Sequence, residues 1–160
     1  MAKSYQFASY SLADYILTLK VSDATLRNQL GLSSNEIQVG GEGQFLGKIT
    51  VKYNTPQWKV QADATGAWVH SRSFDQSGTV TVNINQMSDA VIRFIRICTA
   101  YYSSNDVRAG FSLSITKASD MSFAANAEDC RISQIPNQDF DKEAGAQDWE
   151  FVSGRIVLNV

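Results

Sequence analysis

Histidine is nearly absent from this chain, and cysteine occurs only twice: His70 stands alone beside Cys98 and Cys130. One imidazole and two distant thiols do not supply the closely spaced ligand pairs of a structural zinc site. His70 could be drawn as a general base, with Asp75 or Asp63 orienting it and a serine as nucleophile, but no G-x-S-x-G elbow accompanies it. Flanked by Ser71 and Arg72, it reads as a surface histidine on a strand. The apolar neighbours of the two cysteines point to buried thiols in place of a disulfide. Long hydrophobic runs are missing too, so no segment approaches the ~20 residues of a membrane-spanning helix. Met1-Ala2-Lys3-Ser4 leads into no apolar signal core, and the expected place of synthesis is the cytoplasm. Charge of one sign is also lacking. Lys and Arg number 14 against 16 for Asp and Glu, a formal charge of −2, so no broad basic field is offered to nucleic acid or acidic membranes. Gly40-Gly41-Glu42-Gly43 is not followed by the lysine and helix of a phosphate-binding loop. Asp139, Asp141 and Glu143 alternate as calcium ligands do in a loop site, but they lack the full spacing and the closing bidentate glutamate, which leaves a solvated acidic loop. No cofactor, metal or catalytic residue is expected.

What is present is strand and turn, organised around Ser77–Ser103. Val80, Val82 and Ile84 alternate with Thr79, Thr81, Asn83 and Asn85, the pattern of a strand with one buried face. Ser88 or Asp89 can cap the helix that follows, about residues 88–103, in which Val91, Phe94, Ile95, Cys98, Tyr101 and Tyr102 recur at helical spacing, apart from Arg93 and Arg96. Alternation marks further strands at Tyr15–Val21, Phe45–Tyr53, Trp58–Ala64, Ala67–Phe74, Phe111–Thr116, Met121–Ala125, Glu128–Ile135 and Trp149–Leu158, the last with an expected bulge at Gly154. Asn54-Thr55-Pro56-Gln57 reads as a turn that makes a hairpin, or neighbouring strands, of the runs on either side. Residues Ala2–Ala8 read as an arm or edge segment, and Ser22–Gly31 stays ambiguous. The 160 residues fit one domain, 1–160, of mainly β class: an antiparallel β-sandwich or barrel with one flanking α-helix. Strands polar on both faces, such as Lys48–Lys52 and Lys59–Asp63, store little hydrophobic energy alone. They suit an extended hairpin whose partner is another subunit.

The order of motifs adds a resemblance. Tyr10-Ser11-Leu12-Ala13-Asp14 opens the chain, and Gly43–Val51 and the Asp63-Ala64-Thr65-Gly66 turn follow. Next come Ser77-Gly78-Thr79-Val80-Thr81-Val82-Asn83-Ile84-Asn85-Gln86 and the apolar helix. Ala127–Ile132, Lys142-Glu143-Ala144-Gly145 and Trp149-Glu150-Phe151 close it. This order resembles the tail tube proteins of bacteriophages, especially those with contractile tails. The resemblance implies hexameric rings stacked into a hollow tube for DNA passage, made in the host cytoplasm and built into the virion tail. It implies sheath and baseplate partners, no membrane partner, and no catalytic site. Candidate lumen-facing residues are then Lys48, Lys52, Lys59, Gln61 and Asp63. Candidate inter-subunit residues are Gly40, Gly41, Gly43, Asp139, Asp141 and Glu143. A DNA conduit is expected to be neutral or acidic, so the lysines require offsetting carboxylates, with Asp63 and Glu42 the nearest in sequence. The alternatives are the tube of a contractile bacteriocin or secretion system, and a β-sandwich carbohydrate-binding module using Trp58, Trp68 or Tyr101 as stacking platforms. In a tube, those aromatics belong to core or interface.

Overall fold

The computed structural model describes residues 12–21, 36–39, 46–103, 111–117 and 122–158. A 3₁₀ turn at Leu12–Asp14 enters β1 (Tyr15–Val21). Then come β2 (Glu36–Val39), β3 (Leu46–Tyr53), β4 (Trp58–Ala62), β5 (Trp68–Arg72) and β6 (Gly78–Asn85). The helix α1 (Asp89–Ser103) is followed by β7 (Phe111–Lys117), β8 (Ser122–Gln134) and β9 (Ala146–Leu158). Seven strands form one antiparallel sheet in the order β2-β1-β7-β8-β9-β6-β3, while β4 and β5 pair only with each other. The large sheet curls into a half-barrel with α1 over its open flank, so of sandwich and barrel the barrel is nearer. Gly40, Gly41, Gly43, Glu42, Ala2–Ala8 and Ser22–Gly31 lie outside the described residues.

The core forms where the two periodicities meet. Leu17, Leu19 and Val21 of β1, Val80, Val82 and Ile84 of β6, Phe111 and Leu113 of β7, and Trp149 and Phe151 of β9 turn to the concave side, all essentially inaccessible to water. Helix α1 lays Val91, Phe94, Ile97 and Cys98 onto them and leaves Ile92, Arg93 and Arg96 outside. Phe94 is the hinge pin of this packing: its ring meets Trp149 and Phe151 edge-on at 5.4 Å each, and Phe111 continues the stack against Phe151 at 5.8 Å. Ser88 is the cap. Its buried Oγ accepts from the Ala90 N–H at 3.4 Å and its carbonyl from the Val91 N–H at 3.1 Å. Cys98 and Cys130 are buried free thiols, and burial pushes both up to about 11. Ile97 joins the buried face of the helix beyond the residues that the spacing picked; the side chains of Tyr101 and Tyr102 are not among those described.

Three strand readings change. The two runs at Met121–Ala125 and Glu128–Ile135 are one strand, β8. Its inward alternation breaks between Ala127 and Cys130, and that of β9 breaks between Ser153 and Ile156, at positions that pair directly. At this step, where the β8–β9 register itself stays unbroken, Asp129 takes a left-handed φ of 51° opposite Gly154. The bulge expected at Gly154 is therefore not there: β9 keeps its register with β6 as far as Ser153 and with β8 across Gly154, and the extra residue sits on β8 against β7, where Phe111 and Leu113 pair with Cys130 and Ala127, with Asp129 as the strained member. Asp129→Gly is expected to shift stability by no more than about 0.5 kcal/mol, whereas Asp129→Val costs about 1–2 kcal/mol, because a β-branched side chain does not fit this region. Denaturant midpoints of the two variants check this. Second, β9 begins at Ala146, so Asp148 belongs to a strand and not to the acidic loop. Third, Asn54–Gln57 closes no hairpin between β3 and β4. Strand β3 pairs with β6, and β4 with β5.

Candidate assembly surfaces

Two surfaces follow from that pairing. The first is the convex face of the large sheet. Because the inward residues of β3, β6 and β9 are apolar, their neighbours must point the other way. Lys48, Thr50 and Lys52 are exposed on β3, Thr79, Thr81, Asn83 and Asn85 are half-buried on β6, and Asp148 and Glu150 are exposed on β9. The register places Lys52 beside Thr79, Thr50 beside Thr81, Thr81 beside Glu150, and Asn83 beside Asp148. Asn83 Nδ2 donates to Asp148 Oδ1 at 2.8 Å. Two lysines on β3 and two carboxylates on β9 thus share this face across a strip of hydroxyls and amides, with Glu150 level with Thr50 and the exposed Val152 level with Lys52. Lys48 and Lys52 both fall on this face. Its offsetting carboxylates are Asp148 and Glu150, and not Asp63. Alternation in Trp149–Phe151 was the available signal for Glu150. An open groove of about 310 Å³, lined by Ser133, Gln134, Ile135, Asn137, Asp148 and Glu150, lies on the acidic side.

The second surface is the β4–β5 ribbon, in which every residue from Trp58 to Arg72 is exposed. It leaves the sheet at a waist where the Asn54 N–H donates to Ser77 O and the Ser73 N–H to Gln57 O. From Tyr53 to Trp58 the chain advances five residues, and from Arg72 to Gly78 six, so one extra residue on the returning side breaks the ladder here. Gly78 is forced at this waist, since a Cβ would overlap the Lys52 carbonyl and the Ile156 side chain. Asp75 clasps it. Thr55 Oγ1 donates to Asp75 Oδ2 at 2.7 Å and the Ser77 N–H to Oδ1 at 2.9 Å. Hydrogen bonds from Ser77 and Thr55 hold the carboxyl down to about 2, from an ordinary 3.8. A depressed carboxylate stabilises the fold above its unfolded pKa and loses that contribution as pH falls through the folded one. The waist is therefore expected to loosen between pH 3.8 and about 2, seen as amide-exchange or NMR changes at Thr55 and Ser77 that Asp75→Asn removes.

At the far end, Asp63 Oδ1 accepts from the Thr65 N–H at 2.8 Å, the Thr65 hydroxyl at 2.6 Å and the Ala67 N–H at 3.1 Å, with Gly66 at φ 89° completing the turn. These bonds, with that of the Thr65 hydroxyl foremost, lower the pKa of Asp63. Asp63 thus builds the ribbon tip. The register Trp58↔Arg72, Val60↔His70 and Ala62↔Trp68 puts these six side chains on one face, and leaves Lys59, Gln61, Val69 and Ser71 on the other. The Arg72 guanidinium lies 5.7 Å from the Trp58 ring centroid and 4.8 Å from that of Phe74. His70 meets Trp58 edge-on at 6.4 Å, so its neighbour is an indole, and Asp63 and Asp75 are engaged elsewhere. Trp58, Val60, Trp68 and Phe74 are 56–79% exposed, an apolar strip with no core behind it. The exposed tryptophans are not core. Asp139, Asp141 and Glu143 lie in the exposed segment between β8 and β9, and beside them Phe140 is 94% exposed. Among the described residues no helix is long and apolar enough to cross a membrane.

A curled antiparallel sheet flanked, among the described residues, by one helix, with a ribbon leaving it, is a fold shared with chains of contractile injection machines. The chain superposes on a sheath/tube terminator of an extracellular contractile injection system, PVC, with a TM-score of 0.51 at 12% identity, covering 99% of this chain and 100% of that one. The tube-terminating cap of the anti-feeding prophage gives 0.54 at 12%, covering 99% and 95%. A chain of the PVC sheath-tube complex in its extended state gives 0.54 at 11%, covering 94% and 91%. No curated protein sequence matches the chain significantly. The family model described as Bacteriophage PhiTE tail tube protein matches residues 18–159, and the chain belongs to that family. It is a structural tail tube protein, a component of the virion tail.

Proposed function

We propose that this chain, as one domain over 1–160, assembles into hexameric rings that stack into a hollow tube for DNA, with the convex face of the β3–β6–β9 strands toward the lumen and the exposed side of α1 toward a sheath. The carrying observation is the balanced convex face. Lys48 and Lys52 are balanced in number by Asp148 and Glu150 on the same face, with Thr79, Thr81 and Asn83 between the two strands. Each uncompensated lysine on a conduit wall would hold a phosphate, whereas a polar wall near zero charge wets the lumen without gripping DNA. Lys59 and Gln61 occupy the polar face of the ribbon and are proposed to continue this wall. Asp63 shapes the tip. Asp139, Asp141 and Glu143 are proposed as contacts between copies, as are Gly40, Gly41 and Gly43. Baseplate proteins, which nucleate the tube in the host cytoplasm, complete the partners, and the chain carries no catalytic role.

Negative-stain microscopy of the purified protein at high concentration tests this. Hollow rods or six-fold rings are expected. In reconstructed rods, Lys48, Lys52, Asp148 and Glu150 should line the channel. Monomers at every concentration, together with tryptophan quenching by glycans at Trp58 and Trp68, would overturn the proposal in favour of a binding module.

A further inference from the structure

The ribbon and the acidic segment leave the sheet at opposite ends of β6. The ribbon emerges beside Gly78, where β6 begins; the Asp139–Gly145 segment returns at its other end, where the Gln86 N–H donates to the Gly145 carbonyl and Asn85 pairs with Ala146. Eight residues of strand separate the two, about 26 Å. Their chemistry is complementary. The ribbon face is apolar and aromatic, with Arg72 as its fixed cation. The segment carries Asp139, Asp141 and Glu143 around one fully displayed aromatic, Phe140.

Resting on the tube reading above, we propose that the aromatic, Arg72-bearing face of the ribbon docks onto the acidic segment around Phe140 of a second copy of this chain. The Arg72 guanidinium carbon lies over the Trp58 and Phe74 rings, and ring contacts of this kind do not consume the N–H donors that a guanidinium offers a carboxylate. Phe140 would supply an apolar contact to the exposed strip of Trp58, Val60 and Trp68. Unlike surfaces at opposite ends of one strand make a heterologous contact, which propagates along the strand direction and does not close into a dimer. The contact is also small. A five-residue ribbon offers a strip only about 17 Å long, far below a stable two-body interface. It therefore holds only where many copies repeat it, and charge makes it sensitive to salt.

Charge reversal tests the pairing. R72E or D141R alone is expected to lower the pelletable rod fraction about tenfold, and the double variant R72E/D141R to restore it, the cross-pair coupling expected of an interface charge pair. The orientation has its own readout: W68C and F140C chains, mixed during assembly, should give disulfide heterodimers in excess of either homodimer, with native Cys98 and Cys130 buried and out of reach. Wild-type rods that tolerate both single reversals, a double variant no better than the singles, or a dominant homodimer would overturn this contact while leaving the tube intact. Wild-type protein that stays monomeric at every concentration and salt would overturn both.

Discussion

Phe94→Ala is expected to remove about 3–5 kcal/mol of folding stability. Domains of this kind hold only about 5–15 kcal/mol in total, so the variant should be partly unfolded at room temperature or lose about 2 M from its urea midpoint at an m-value of about 2 kcal/mol/M. The size follows from position. Phe94 is wholly buried, and it is the side chain through which α1 grips Trp149 and Phe151 on β9, an interior strand of the sheet. Truncation leaves a cavity walled by two rings that cannot both move in. Trp149 is tied through its indole N–H to Gln147 at 3.3 Å, and Gln147 in turn donates to Gln138 at 3.0 Å. Phe151 is pinned by β6 and β8 on either side. Ile92→Ala on the same helix is the control. Ile92 is 53% exposed, and its loss should change stability by no more than about 0.5 kcal/mol. An equal effect at both positions would mean that helix propensity, and not packing on the sheet, sets the cost.

The parts of the fold that carry this stability were also the parts legible in the sequence, for one physical reason: burial on one side writes a period. Strand β6 alternates because its inner face is core, and α1 shows helical spacing because one stripe of it is core, so that unit and β1 were found almost residue for residue. Where no face is buried, no phase exists to read. The runs of β4 and β5 were visible as strands, but their partner was not, because nothing in Trp58–Ala62 distinguishes pairing with β3 from pairing with β5. Bulges erase the signal differently. The two-residue step at Asp129 reverses the alternation of β8 midway, which split one strand into two in the sequence reading. The convex face was half legible: Lys48 and Lys52 came from the alternation of β3 alone. Their counterweight needs the register that sets Glu150 beside Thr81 and Asp148 beside Asn83, a relation across some 65–70 residues that local pattern does not contain. Asp148 was hidden further by the acidic run before it. The aromatic face of the ribbon required the pairing of β4 with β5, since Trp58 and Arg72 meet only across it.

Excising the ribbon should have the opposite profile to Phe94→Ala: little change in stability and complete loss of rods. Residues 58–72 can be replaced by Asn-Gly between Gln57 and Ser73, whose backbones already pair at 2.8 Å, so a two-residue hairpin turn closes the gap without moving the waist. The Asp75 clasp, Gly78 and the Asn54–Ser77 bond all stay. None of the removed residues belongs to the core, and each is exposed, so the cost in stability should stay within about 1 kcal/mol. An isolated two-stranded ribbon is marginal in water, and this one displays two tryptophans and two valines to solvent. A monomer gains nothing from such a strip and bears its aggregation hazard. The strip makes physical sense if another copy covers it, and then its removal should abolish assembly at any concentration that gives wild-type rods, with far-UV circular dichroism and the urea midpoint nearly unchanged. Rods from the excised protein would show that the sheet edges alone build the wall. Collapse of the fold would instead make the ribbon part of the stabilising structure, contrary to the exposure of every residue in it.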